Sequence, residues 1–151
     1  MSRLDAVIID LEGALANIDH RLHHINGEKK DWESFFEGMN HDSLNGWCAR
    51  LCAGFQMTGH TVIFITGRPI KWFEATVSWL DANGIDLRMS VLYMRKDEDF
   101  RPDVEIKREI YETMILPTYE VHLVIEDRKP VVEMWRSIGL PCLHCAGDVG
   151  P

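Results

Sequence analysis

Three runs of apolar residues in this sequence are each followed at once by groups that can do chemistry. LDAVII at 4 to 9 is followed by Asp10 and Glu12, TVIFI at 61 to 65 by Thr66, Gly67 and Arg68, and VHLVI at 121 to 125 by Glu126 and Asp127. Polar residues often cap strands, so one such junction carries little weight. Three together suggest a shared site. Carboxylates that converge suit a hard divalent cation such as Mg2+, which takes oxygen ligands and keeps several waters. Asp10, Glu126 and Asp127 supply such oxygens. Beside that cation, Asp10 is placed to attack phosphorus as a carboxylate nucleophile, dividing one hard displacement into two easier ones. Glu12 is placed to protonate the leaving oxygen and then to activate water. Thr66 offers a hydroxyl, and the turn after it at Gly67 offers backbone N–H groups to phosphate oxygens. Lys107, on a helix further along, adds one positive charge among the carboxylates.

Positioning such groups requires a sheet whose strands all end on one side. Strand and helix patterns alternate along the chain, which predicts a three-layer, doubly wound α/β domain with a parallel sheet. Strands are expected at 4–9, 61–66, 90–94, 121–125 and around PCLHC at 141–145. Leu44, Trp47, Cys48, Leu51, Cys52 and Phe55 recur at helical spacing, closed by Gly59. A second helix runs from Pro69 with Trp72, Phe73, Thr76 and Leu80 on one face. A third follows Pro102 with Val104, Lys107, Ile110 and Met114 until Pro117 stops it, and a fourth spans 130–138 before Gly139. Residues 13–42 fit no such pattern and are expected to form a flap or minimal cap.

At 151 residues, 46% hydrophobic and 26% charged, the chain reads as one globular domain over 1–151. No apolar run approaches the ~20 residues of a membrane-spanning helix, and no basic-then-apolar leader opens the chain, so a cytoplasmic location is the expectation. A net charge of −8 opposes an extended grip on duplex nucleic acid. Cys48, Cys52, Cys142 and Cys145 read as reduced core thiols, and CLHC has no second pair with which to hold zinc.

AVIIDLEGALA at 6–16, IFITGRP at 63–69, DVEIK at 103–107 and VIEDR at 124–128 resemble, in order and spacing, the four signatures of the haloacid dehalogenase (HAD) superfamily. MRKDEDFRPDVEIKREI and VIEDRKPVVEMWRSIGLPC further resemble the 3′-phosphatase domain of phage-type polynucleotide kinases, over nearly the whole chain. The resemblance implies a Mg2+-dependent hydrolase of phosphomonoesters, acting through an aspartyl phosphate on the 3′-phosphate of a nucleotide or nucleic-acid end. It implies Asp10 as nucleophile, Glu12 as acid/base with its backbone carbonyl on the metal, Thr66 and Lys107 as phosphate contacts, and Glu126 and Asp127 around the metal. It also implies functional roles for Arg21, Arg68 and Asp103. The family carries Asp where this chain has Glu12 and usually where it has Glu126, and an added methylene moves a carboxylate by about an ångström, a misplacement that can matter in catalysis. Two other readings stay open: a phosphatase of a small metabolite or mononucleotide, and an impaired scaffold that binds or regulates. Oligomeric partners are not legible.

Other signals carry less. GFQMTGHT at 54–61 has the glycine spacing of a phosphate-binding loop, but His60 replaces its lysine and the run leaves a helix to enter a strand, so no kinase site is expected there. His20 and His24 lack a third metal partner. Trp32, Phe35 and Phe36 read first as the packing face of a short helix and second as a stacking surface for a base.

Overall fold

Residues 2–145 are described by the computed structural model. In chain order its strands are β1 (Leu4–Asp10), the short β2 (Ala16–Asn17) and β3 (Ser43–Leu44), β4 (Thr61–Pro69), β5 (Ser90–Arg95), β6 (Tyr119–Glu126) and β7 (Cys142–His144). The α-helices are α1 (Trp32–Glu37), α2 (Gly46–Met57), α3 (Phe73–Ala82), α4 (Asp103–Ile110) and α5 (Lys129–Ser137). The main sheet has the order β5-β4-β1-β6-β7, and every neighbouring pair is parallel.

β1 is central and is covered on both faces, so Ala6 to Asp10 are all buried and the strand reads as a continuous apolar run. Its side chains alternate between two cores. Val7 and Ile9 pack with Phe64, Cys48, Cys52, Trp79 and Leu80 on the side of α1, α2 and α3, while Ala6 and Ile8 pack with Ile63, Val131 and Trp135 on the side of α4 and α5. This is the predicted three-layer α/β arrangement.

Several helical faces differ from the expected ones. On α2, Trp47 and Leu51 are exposed, and Cys48 and Cys52 are buried. Small thiol side chains let the helix lie close to the sheet, which leaves its bulkier flanks outside. On α3 the buried side chains are Thr76, Trp79 and Leu80, while Phe73 is exposed. α4 runs on into a π-helical turn, Tyr111–Ile115, with Leu116 N–H donating to the Tyr111 carbonyl at 2.8 Å. The wider turn shifts the register, so Tyr111 and Ile115 face inward and Met114, expected inside, is exposed.

Between β1 and α2 the chain leaves the main sheet for a long excursion. β2 and β3 pair antiparallel at its base, Asn17 against Ser43. Between them lie a 3-10 turn at Asp19–His24, then α1, then a second 3-10 turn at Gly38–His41. α1 is held at its start by Asp31, which accepts from the Ser34 N–H at 3.1 Å and from the Ser34 hydroxyl at 2.7 Å. Phe35, Phe36 and Met39 join the core on that side of the sheet.

Candidate active site

The chain builds β1, β4 and β5 toward one edge, then crosses back to place β6 and β7 on the other side of β1. Helices therefore leave β1 and β6 on opposite faces, opening a crevice at their carboxyl ends, the usual ligand position in such sheets. Asp10 ends β1, and Glu126 ends β6 with Asp127 next in the chain. Ligand oxygens of these three lie within 4.8 Å of one another.

Lys107, buried on α4, reaches the same point. Its Nζ donates to Asp10 Oδ1 at 2.9 Å and to Glu126 Oε2 at 2.9 Å. Burial and then the Glu126 charge push the Asp10 carboxyl well above its ordinary range, with Lys107 acting in the other direction. Asp127 is pushed up to about 6, chiefly by burial. Burial works against the charged form of Glu126 as well, but Lys107 overcomes it and holds that carboxyl low. The second oxygen of Glu126 accepts from the N–H groups of Asp127 at 3.2 Å and Arg128 at 3.4 Å. The longer side chain thus folds back over the turn into α5. Gly13 permits the closeness of Asp127: its φ is +82°, and a Cβ there would stand 2.1 Å from Asp127 Oδ2.

Glu12 points elsewhere, into a cage of donors. Thr66 Oγ1 donates to it at 2.6 Å, Arg68 Nε at 2.8 Å and Nη2 at 2.6 Å, and Arg21 Nη2 at 2.9 Å. Burial opposes its ionisation, but the Arg68 and Arg21 guanidinium groups outweigh burial and hold it at about 2. Glu12 is therefore an anion at rest. Both arginines are buried, and a second carboxylate, Asp42, balances them. It accepts from Arg21 Nε and Nη2 at 2.7 Å each and lies 3.6 Å from Arg68 Nη2. His20 Nε2 sits 2.7 Å from Asp42 on the outer side. Arg21 also donates to the Phe35 carbonyl at 3.0 Å, and Arg68 to Thr76 Oγ1 at 3.0 Å.

Asp103, at the first turn of α4, braces the end of β4 at Gly67. Its carboxylate binds Arg95 on one oxygen and Arg128 Nη1 at 2.7 Å on the other. A Cβ on Gly67 would come within 2.5 Å of Asp103 Oδ1, so the absent side chain allows this packing. Arg95 in turn donates to the Gly67 carbonyl at 3.0 Å.

Of the residues expected from the sequence, Asp10, Lys107, Glu126 and Asp127 form one buried group, and Glu12, Thr66, Arg68 and Arg21 form a second beside it. The Glu12 side chain is not among the three clustered carboxylates, leaving its backbone carbonyl as the atom to test against a metal. Thr66 and Arg68 direct hydroxyl and guanidinium donors to Glu12, and the Arg68 N–H donates to Thr66 Oγ1 at 3.2 Å. Asp42, Arg95 and Arg128 also build the site and were not singled out from the sequence, and Thr76, read there only as part of a helix face, accepts from Arg68. No sequence signal pointed to Asp42, because its demand comes from the burial of Arg21, which only the fold creates. His20 pairs with Asp42 and not with His24. Among the described residues, CLHC joins no metal-type group, and the other such cluster, Asp5, Glu120 and His122, is exposed.

The central carboxylates fit a divalent cation. Two of them, Asp10 and Glu126, share Lys107, the oxygens of all three are hard donors, and Asp127 Oδ1 is buried with no hydrogen-bond partner. An oxygen left orphaned in a buried site calls for a ligand.

A three-layer parallel sheet with acidic residues at its central switch point defines a HAD-like fold. The class C acid phosphatase from Bacillus anthracis shares that fold, with a TM-score of 0.68 at 13% identity over 98% of this chain and 68% of that one. Residues 4–148 match the family model of the polynucleotide kinase PNKP phosphatase domain, and the chain belongs to that family of phosphatases. A chain in the structure of the Pnkp1/Rnl/Hen1 RNA repair complex is 32% identical with a TM-score of 0.81, covering 99% of this chain and 45% of that one. A protein of Autographa californica nuclear polyhedrosis virus, assigned as a bifunctional polynucleotide kinase/RNA ligase, is 27% identical over 142 residues, 90% of this chain and 18% of its own length. The chain thus spans less than half the length of these last two relatives.

Proposed function

We propose that this chain hydrolyses the 3′-phosphate of a nucleotide or nucleic-acid end, with Asp10 as nucleophile and Mg2+ held by Asp10, Asp127, Glu126 and the backbone carbonyl of Glu12. The observation that carries this reading is the buried meeting of Asp10, Lys107, Glu126 and Asp127 at the switch point, with an orphaned oxygen on Asp127. Membership of the PNKP phosphatase family supports the choice of a nucleic-acid end.

Mg2+ bound there supplies charge neutralisation for the carboxylates and the phosphoryl oxygens. Asp10 forms the bond to phosphorus while the ester oxygen departs, and water then releases phosphate and restores the carboxylate. Lys107 keeps Asp10 oriented through its 2.9 Å contact and adds positive charge where negative charge develops. Glu12, anionic at rest, is ready to take a proton from that water. Its earlier duty, protonating the leaving oxygen, requires it first to gain a proton, and an arriving phosphate anion raises its proton affinity. Arg21 and Arg68 act by fixing Glu12, since their donors are spent on Glu12, Asp42, Phe35 and Thr76. Asp103 holds the end of β4 at Gly67.

Phosphate release from 3′-phosphorylated oligonucleotides, 3′-mononucleotides and sugar phosphates, with and without Mg2+, tests the reading. Oligonucleotides and nucleotides should react and only with the metal; preference for sugar phosphates would move the substrate to a small metabolite, and a wholly inert panel would leave a binding scaffold. Asp10→Asn should cut turnover on the order of 10³-fold or more with the fold retained by circular dichroism.

A further inference from the structure

Trp32, Phe35 and Phe36 are read from the sequence as one packing face, yet the structure divides them. Phe35 and Phe36 are 3% and 8% exposed, whereas Trp32 is 47% exposed. Two buried phenylalanines already anchor this six-residue helix. The open indole therefore adds little to the core. It lies stacked on Phe36, with centroids 6.0 Å apart and planes 24° apart, and Phe36 in turn lies 6.4 Å from Trp72. Lysines stand over both tryptophans: Lys30 Nζ is 5.8 Å from the Trp32 ring and Lys71 Nζ is 5.3 Å from the Trp72 ring.

This ledge is tied to the Glu12 cage at two points. Phe35, one turn from Trp32, carries the Arg21 guanidinium 4.2 Å above its ring and accepts from Arg21 through its carbonyl. The Trp72 carbonyl accepts from Thr76 Oγ1 at 2.8 Å, and Thr76 accepts from Arg68 at 3.0 Å. Both arginines reach Glu12. A half-exposed indole with an ammonium group over it, on a chain of net charge −8, offers a π-face to a base once that ammonium turns to a flanking phosphate. Lys71 is shared with Glu33 at 2.9 Å, so Lys30 is the freer cation of the two.

We infer that Trp32 is a stacking platform for a base of the single strand that leads to the scissile phosphate, with Lys30 beside it for the strand's backbone. The inference rests on the nucleic-acid reading above and deepens it, since it names Trp32 as a residue that selects the strand. Stacking, unlike hydrogen-bond readout, is tolerant of sequence, so the strand's base order matters little.

The test compares two single strands of equal length ending in a 3′-phosphate, one with ordinary bases and one with abasic nucleotides before the end. Phosphate charge is the same in both, so lysine contacts cancel. The wild-type chain should favour the base-bearing strand roughly tenfold in kcat/KM, the order expected of one stacked base. Trp32→Ala should close that gap, and Trp32→Phe should restore most of it. Equal treatment of the two strands by the wild type, or an unaltered gap in Trp32→Ala, overturns the inference and leaves Trp32 as packing or as a protein-docking residue. Fluorescence anisotropy with the same labelled strands gives a readout that does not need turnover. If no strand is hydrolysed but binding discriminates the two strands through Trp32, the catalytic reading fails and the platform stands.

Discussion

Glu12 shows how one methylene is accommodated. Its carboxylate is long enough to collect donors from Thr66, Arg68 and Arg21 together, at 2.6 to 2.9 Å. Shortening it withdraws both oxygens from that cage by about an ångström, a misplacement of the kind that costs on the order of 10²-fold in rate. Glu12→Asp should therefore lower kcat, read in steady-state phosphate release, with KM little changed; a rise in kcat would mean that Glu is merely tolerated. Asp42 is the other residue on which the cage depends. Removing its side chain leaves two buried guanidinium groups sharing Glu12 alone, and breaking a buried pair of this kind costs roughly 3–5 kcal/mol. Asp42→Ala should show that loss in urea unfolding, while an unchanged midpoint would mean that the arginines find other partners.

At the scale of elements, the turn after β1 decides whether Asp127 can approach Asp10. Gly13 holds a left-handed backbone and leaves no room for a side chain against Asp127. Gly13→Ala adds both a clash with a carboxylate and about 1–2 kcal/mol of backbone strain. Weaker Mg2+ dependence is expected, measured as a higher metal concentration for half-maximal activity, together with lower stability; wild-type metal response would separate Gly13 from the site. The π turn after α4 acts similarly on the other face. By changing the helical register it buries Tyr111 and Ile115 while Lys107, one turn earlier, stays directed at Asp10.

For the molecule as a whole, a cluster of three carboxylates and one lysine stores repulsion that a dication relieves. A metal that binds the native state alone stabilises it by about 2.7 kcal/mol at a hundred times its dissociation constant. For a domain of this size that corresponds to a rise of roughly 5–10 °C in the melting temperature. Differential scanning calorimetry with Mg2+ and with EDTA should show it, and equal melting temperatures would refute metal binding at Asp10, Asp127 and Glu126.

The order of strands and helices was legible because periods of 2 and 3.6 are written locally, and so was the placement of Asp10, Glu126 and Asp127 at the ends of β1 and β6, whereas Thr66, Gly67 and Arg68 lie within β4, which runs on to Pro69. The inward faces of α2, α3 and the turn after α4 were not, since which side of a helix is buried depends on how closely it seats against a sheet formed by distant segments. Asp42 pairs with an arginine 21 residues earlier across an irregular stretch, and Asp103 is clamped by Arg95 from the end of β5 and by Arg128 from the start of α5. No local pattern encodes such pairs. The amino-acid order by itself determined which groups arrive at the carboxyl edge; tertiary packing alone decided which charge answers which, because ion pairing in a buried site is set by distance in space and not by distance along the chain.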